Sequence, residues 1–160
     1  MACYGSGLEV LGDDFCFLEP PAGASGNAVV HAAYRLAKLD DNSLDLLPHL
    51  RQRIVGTGLR GKSLIELDSV ARARRPVRAL CHIVQRPGHP TEVESMSRID
   101  ALRAVAPSTM FQIRLFEQET WEGLAAAVPT LPCFRLLVGD LGRVPDVLSE
   151  LLDRVGQDAA

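Results

Sequence analysis

Lysine is almost missing from this chain. Of its 17 basic residues only Lys38 and Lys62 are lysines and the others are arginines, a bias that points to a GC-rich, bacterial-type coding sequence. There is no surplus of positive charge either. The formal net charge of −3 gives no broad attraction to nucleic acid or to acidic membranes, so neither is expected as a partner. No CxxC pair occurs, and the four cysteines, Cys3, Cys16, Cys81 and Cys133, are scattered. They read as small buried hydrophobes in a reducing compartment. The start of the chain, MACYGSGLEVLGDD, has no basic stretch followed by an apolar one, which argues against a secretory signal. No apolar run approaches the roughly 18 residues that span a bilayer. The expected location is cytoplasmic.

What is present is globular in kind. Apolar residues make up 47% and charged residues 23% of 160, enough for one domain to bury a core without staples. Residues 8–18 read as two short strands around Gly12-Asp13-Asp14, followed by the breaker-rich loop Glu19–Gly26. A helix is predicted over 27–38 and another over 44–55, although Pro48 fits only a first helical turn. Gly56 would stop it, and Ser63-Leu64-Ile65-Glu66 reads as a capping box that starts a third helix ending before Pro76. A strand is predicted over 77–84, then a helix opened by the Thr91–Glu94 capping box. A strand over 110–116, a helix near 120–128, a strand over 133–138 and a last helix from Pro145 to Gly156 follow. That order predicts a single α/β domain over residues 1–160. Its mixed or partly parallel sheet would have about four or five strands with helices mainly on one face, a two-layer sandwich; a doubly wound three-layer sheet is the alternative.

The strands are not continuously apolar, as strands covered on both faces would be. Arg78, Arg114 and Arg135 each fall on a mixed face of a predicted strand. They are either solvated edge residues or an arginine-bearing sheet face that meets an anionic ligand or an acidic partner.

The most specific string is Gly56-Thr57-Gly58-Leu59-Arg60-Gly61-Lys62-Ser63, GTGLRGKS, which fits GxxxxGK[ST]. Glycines let backbone amides curl around phosphates, a lysine reaches the β- and γ-phosphates, and a serine at a helix start ligates magnesium. Gly56, Gly61, Lys62 and Ser63 would then bind Mg-ATP or Mg-GTP, with Asp140 in LLVGD available as a magnesium-side carboxylate. The same residues also have ordinary uses as helix stop, connector and cap. The segment LRQRIV before them, with Arg51 and Arg53, fits a helix better than the buried strand a phosphate loop follows. A second glycine loop, Gly23–Gly26, could hold an anion or merely connect two elements.

No other chemistry assembles. Cys81 and His82 are adjacent on a predicted strand and point to opposite faces. His31, His49, His82 and His89 lack short ligand spacing, so no metal site is expected. Glu92, Glu94, Glu117, Glu119 and Glu122 read as first-turn helix carboxylates, and Trp121 and Phe116 as core. Two functions remain. One is a non-catalytic regulatory or protein-interaction module with no cofactor. The other is a nucleotide-binding or phosphoryl-transfer protein using GTGLRGKS.

Overall fold

Burial alternates where a helix was expected. Leu36 and Lys38 face solvent while Ala37 and Leu39 face inward, so Leu36–Leu39 is a strand, β3, and Val29–Ala32 before it is β2. The branched side chains of Val29 and Val30 favour that outcome. The computed structural model describes residues 1–12, 16–22, 27–33, 36–67, 74–110 and 117–157. It divides into two compact units, Met1–Phe17 with Val30–Arg75, and Leu18–Val29 with Pro76–Ala160.

In the first unit Asp40 caps α1, Asp41–Leu46, by accepting the Ser43 N–H at 2.8 Å. Hydrogen bonds from Ser43, helped by the charge of Lys62, hold the Asp40 carboxyl below its ordinary range. The helix predicted over 44–55 divides at Leu47. Pro48, with no N–H to give, opens a new 3-10 turn, Pro48–Arg53, that buries Leu50 completely. The chain then enters β4, Ile54–Thr57, and returns as β5, Ser63–Glu66. These two strands pair antiparallel, Thr57 opposite Ser63 and Gly56 opposite Leu64, with a bulge between Ile54 and Gly56. On its other side β5 pairs antiparallel with β3, Ala37 opposite Ile65. The sheet order is β3-β5-β4, over a core of Tyr4, Ala37, Leu39, Leu44, Leu50, Ile65 and Leu67. The third helix expected from Ser63 is thus a central strand. A helix cap is worth about 1 kcal/mol, less than two backbone ladders and a buried Ile65.

In the second unit β7, Leu80–Gln85, β8, Glu92–Ser95, and β9, Cys133–Val138, form a sheet in the order β7-β9-β8. β7 runs parallel to β9 and β8 antiparallel, so this sheet is mixed. Every residue of β9 except Arg135 is buried. Phe134 packs with Leu151 and Val155 of α4, Val144–Gln157. Its neighbour Cys133 packs with Ala101 of α2, Arg98–Met110, and with Val128, just after α3, Glu117–Ala127. Successive strand residues point to opposite faces, so helices cover this sheet on both. The Thr91–Glu94 box starts no helix. Ser97 does, accepting the Asp100 N–H at 3.1 Å and donating to its carboxylate at 2.7 Å.

Because β7 and β8 flank β9, the chain between them must cross the end of β9. The Arg86 N–H donates to the Val138 carbonyl at 2.8 Å. The Thr91 hydroxyl accepts the N–H groups of Gly139 at 3.1 Å and Asp140 at 2.8 Å. A Cβ on Gly139 would lie 1.6 Å from the His89 carbonyl oxygen. Only glycine lets the crossing pass.

A third sheet, β1-β2-β6, contains β1, Cys16–Glu19, β2, and β6, Arg74–Pro76. The described residues are therefore mixed α/β with three small sheets, each three-stranded; the single four- or five-stranded two-layer sheet that was expected is not confirmed. The strand predicted over 110–116 lies, beyond Met110, outside the described residues. Among the described residues no helix is long and apolar enough to cross a membrane.

Candidate functional site

GTGLRGKS is a β-hairpin. Gly56 and Thr57 end β4, Ser63 begins β5, and the Gly58 N–H donates to the Lys62 carbonyl at 2.7 Å. Leu59, Arg60 and Gly61 make the connection, with φ of 61° at Arg60 and 73° at Gly61. Its glycines answer packing and turn geometry. A Cβ on Gly58 would lie 2.9 Å from Cδ2 of Leu64, and one on Gly56 3.9 Å from Cδ1 of the same side chain. Leu64 thus folds across both glycines, and Gly61 takes the left-handed turn position that other residues adopt at a cost of roughly 1–2 kcal/mol. A phosphate loop passes from strand to helix so that helix-start amides converge on the anion. Here Ser63 enters a strand, and the amides of the turn lead into an antiparallel ladder. Asp140, in the second unit, accepts the Gly142 N–H at 2.8 Å as the cap of the short turn Leu141–Arg143.

The hairpin carries two properties at once. Val55 is 57% and Leu59 91% exposed, with Ile54 beside them also exposed. From Leu46 through Ile65 the chain has no carboxylate but has Arg51, Arg53, Arg60 and Lys62. Arg51 pairs with Asp45 of α1. Arg53 donates to the Tyr4 hydroxyl and lies over the Tyr4 ring at 4.8 Å. The Arg60 and Lys62 side chains are exposed, and the charge of Lys62 reaches the Asp40 carboxylate. Beside the hairpin, His49 Nε2 meets the Tyr4 carbonyl at 3.2 Å. An open cleft of about 400 Å³ is lined there by Tyr4, Gly5, His49, Gln52 and Arg53.

The arginines expected on one sheet face are placed differently from one another. Arg135 sits mid-strand in β9, level with His82 of β7 and Glu94 of β8, and its guanidinium lies 3.8 Å from the Glu94 carboxylate. Arg78 is exposed and precedes β7. Arg114 lies outside the described residues, as do Gly23–Gly26 and Phe116. His82 Nδ1 is buried with no hydrogen-bond partner among the described residues. Of the other single residues, Trp121, read as core, is 41% exposed. Glu92 and Glu94, read as helix carboxylates, belong to β8, while Glu117 and Glu119 occupy the first turn of α3.

All four cysteines are free thiols. Desolvation pushes each thiol above its ordinary range, against smaller lowering effects from the chain's N-terminal charge at Cys3, a backbone hydrogen bond at Cys81 and Arg98 at Cys133. A nucleophilic cysteine needs the opposite shift. Among the described residues no group of three or more His, Cys, Asp or Glu could hold a metal ion.

Reading the sequence for motifs overlooked Val55 and Leu59. They lie in a stretch without carboxylates, Leu46 through Ile65, but Ser69 through Thr91 is a longer one, so the charge pattern alone does not single them out. In comparisons with models of protein families, with curated proteins and with solved structures, no match to this chain was found.

Proposed function

We propose that this chain is a non-catalytic protein-interaction module whose contact surface is the β4–β5 hairpin of the first unit, and that its partner is acidic. The observation that carries this reading is the coincidence of exposed Val55 and Leu59 with the exposed cations Arg60 and Lys62 on one hairpin. Apolar side chains supply non-directional contact area, and surrounding charge selects and orients the partner. The second unit also exposes apolar side chains, among them Ile83, Ile99 and Leu152. Both signs surround two of them, Arg98 and Asp100 around Ile99, and Asp153 and Arg154 after Leu152, while Ile83 lies in a carboxylate-free stretch of its own, Ser69 through Thr91, on a strand, Leu80–Gln85, that carries no arginine or lysine. Such surfaces are ordinary.

A photo-crosslinking amino acid placed at Leu59, and separately at Leu152, tests the proposal in cells. Adducts from position 59 to an acidic protein, lost when Arg60 and Lys62 are both changed to Glu, are expected. Adducts that form from position 152 alone, or that survive the charge reversal, overturn the assignment. A phosphate cradle in the same residues would instead give a rise in thermal stability with millimolar Mg-ATP or Mg-GTP. That rise would disappear in Lys62→Ala.

A further inference from the structure

We infer that β4 is a docking edge, and that the partner's acidic segment binds as an added strand of the β3-β5-β4 sheet. This rests on the reading of the hairpin as the contact surface and adds the backbone geometry by which it binds. β4 stands at the end of the sheet order, so among the described residues no strand pairs with its outer side. The hydrogen bond from Gly58 N–H to the Lys62 carbonyl sets the phase of the ladder. In an antiparallel pair residues alternate between bonding the neighbour and facing away. Gly56 shares the phase of Gly58, and Thr57 between them turns its N–H and C=O away from β5. The Ile54 N–H closes the preceding turn on the Arg51 carbonyl, so the outward edge begins after it, at the bulge.

Side chains leave this edge open. Gly56 and Gly58 present none, and Leu64 covers their sheet face from β5. The exposed Val55 and Leu59 stand at its two ends. An added strand would find main-chain partners at Thr57 and apolar contacts before and after it, the pattern of strand addition, in which backbone bonds give affinity and alternate side chains give specificity.

Charge decides the occupant. Unpaired edges invite self-association, and positive side chains beside an edge are a known guard against it. A second copy of β4 laid antiparallel on this one would bring Arg60 and Lys62 of one chain against the cations of the other. An extended segment with glutamate or aspartate alternating with branched apolar residues meets no such repulsion and neutralises both.

The probe is a synthetic eight-residue peptide of alternating valine and glutamate, titrated into the full chain and followed by amide chemical shifts and hydrogen exchange. Three comparison peptides carry the decision: one with lysine for glutamate, one of the same composition with alternate amides N-methylated, and one with scrambled order. The valine–glutamate peptide is expected to bind and to slow exchange of the Thr57 amide at least 10-fold. Its affinity should fall at least 10-fold in the Arg60→Glu, Lys62→Glu double variant. Thr57→Pro, which removes the outward N–H while sparing the bonds to β5, should also weaken it. Both variants change exposed residues, and an unaltered Leu64 methyl spectrum certifies the hairpin. Equal binding of the N-methylated or the scrambled peptide overturns strand addition while leaving an acidic partner on this face intact. Equal binding of the lysine peptide overturns both.

Discussion

The two units handle their central strands differently. β9 in the second unit lies between β7 and β8 with helices over both faces, and only Arg135 interrupts its burial. β5 in the first unit is also central, yet among its residues only Ile65 is fully buried, and β4 beside it shows Ile54 and Val55 to solvent. A strand enclosed on every side must be apolar and can tolerate little else. A strand covered on one face is held by pairing with distant residues, and its own sequence is freer to serve another purpose. The exposed hairpin of the first unit has that freedom.

The strongest way to break this contrast is Gly139→Ala. The added methyl would collide with the backbone of the crossing between β7 and β8. A loss of about 3 kcal/mol is expected in urea denaturation, at the upper end for overpacking. A loss within about 0.5 kcal/mol, the range of an ordinary surface change, would mean the crossing does not pass there. Truncations in the two cores rank beside it. Leu136→Ala in β9 and Ile65→Ala in β5 remove side chains that are 1% and 0% exposed, and each should cost about 2–5 kcal/mol. Leu59→Ala should stay within about 0.5 kcal/mol while weakening partner contact. If Leu59→Ala costs as much as Ile65→Ala, the hairpin tip belongs to the core and is no docking surface.

Smaller effects sharpen the turn itself. Gly61→Ala forces a side chain into a left-handed position and should cost about 1 kcal/mol. Arg60→Gly relieves the same strain one residue earlier and should be neutral or stabilising by up to about 1 kcal/mol. If both substitutions destabilise equally, the turn has a different conformation. The smallest expected signal is chemical. With folded thiol pKa values raised by desolvation, the folded state binds thiol protons more tightly than the unfolded state. Their contribution to stability is present below the unfolded value, near pH 8.5, and lost as pH rises through the folded values. Iodoacetamide at pH 7 should therefore modify all four cysteines more slowly than it modifies a free cysteine. One fast-reacting cysteine would reveal a lowered thiol pKa.

Legibility followed burial. The strand over 133–138 and the helix from Pro145 were readable because an apolar run and a helical stripe each face a core directly. β7 was readable as a strand but begins at Leu80, three residues after the expected start, which leaves Arg78 outside it. β3 and β5 were not, because Ala37 and Ile65 are buried by pairing with each other, a relation between residues far apart in the chain. Local signals there, the Ser63–Glu66 box and the helical spacing of Leu44, Leu47 and Leu50, pointed to helix and were outweighed. At the candidate site, the glycines and lysine of GTGLRGKS drew notice for phosphate chemistry. Spacing alone could not reveal that Leu64 folds over Gly56 and Gly58, nor that Val55 and Leu59 remain uncovered. The charge pattern was in plain view, with no carboxylate from Leu46 through Ile65, but Ser69 through Thr91 repeats it, and only the structure shows Val55 and Leu59 exposed.

Everything assigned to this surface depends on residues 54–66 forming a two-stranded turn. A nuclear Overhauser measurement on the full chain reads this directly. Thr57 and Ser63 are opposed as a pair that does not exchange hydrogen bonds, the closer kind, with Cα atoms about 4.5 Å apart. A strong cross-strand Hα–Hα signal between them is expected. Its absence, together with sequential amide–amide signals running on from Ser63 as a helix would give, would contradict the hairpin and the docking edge with it.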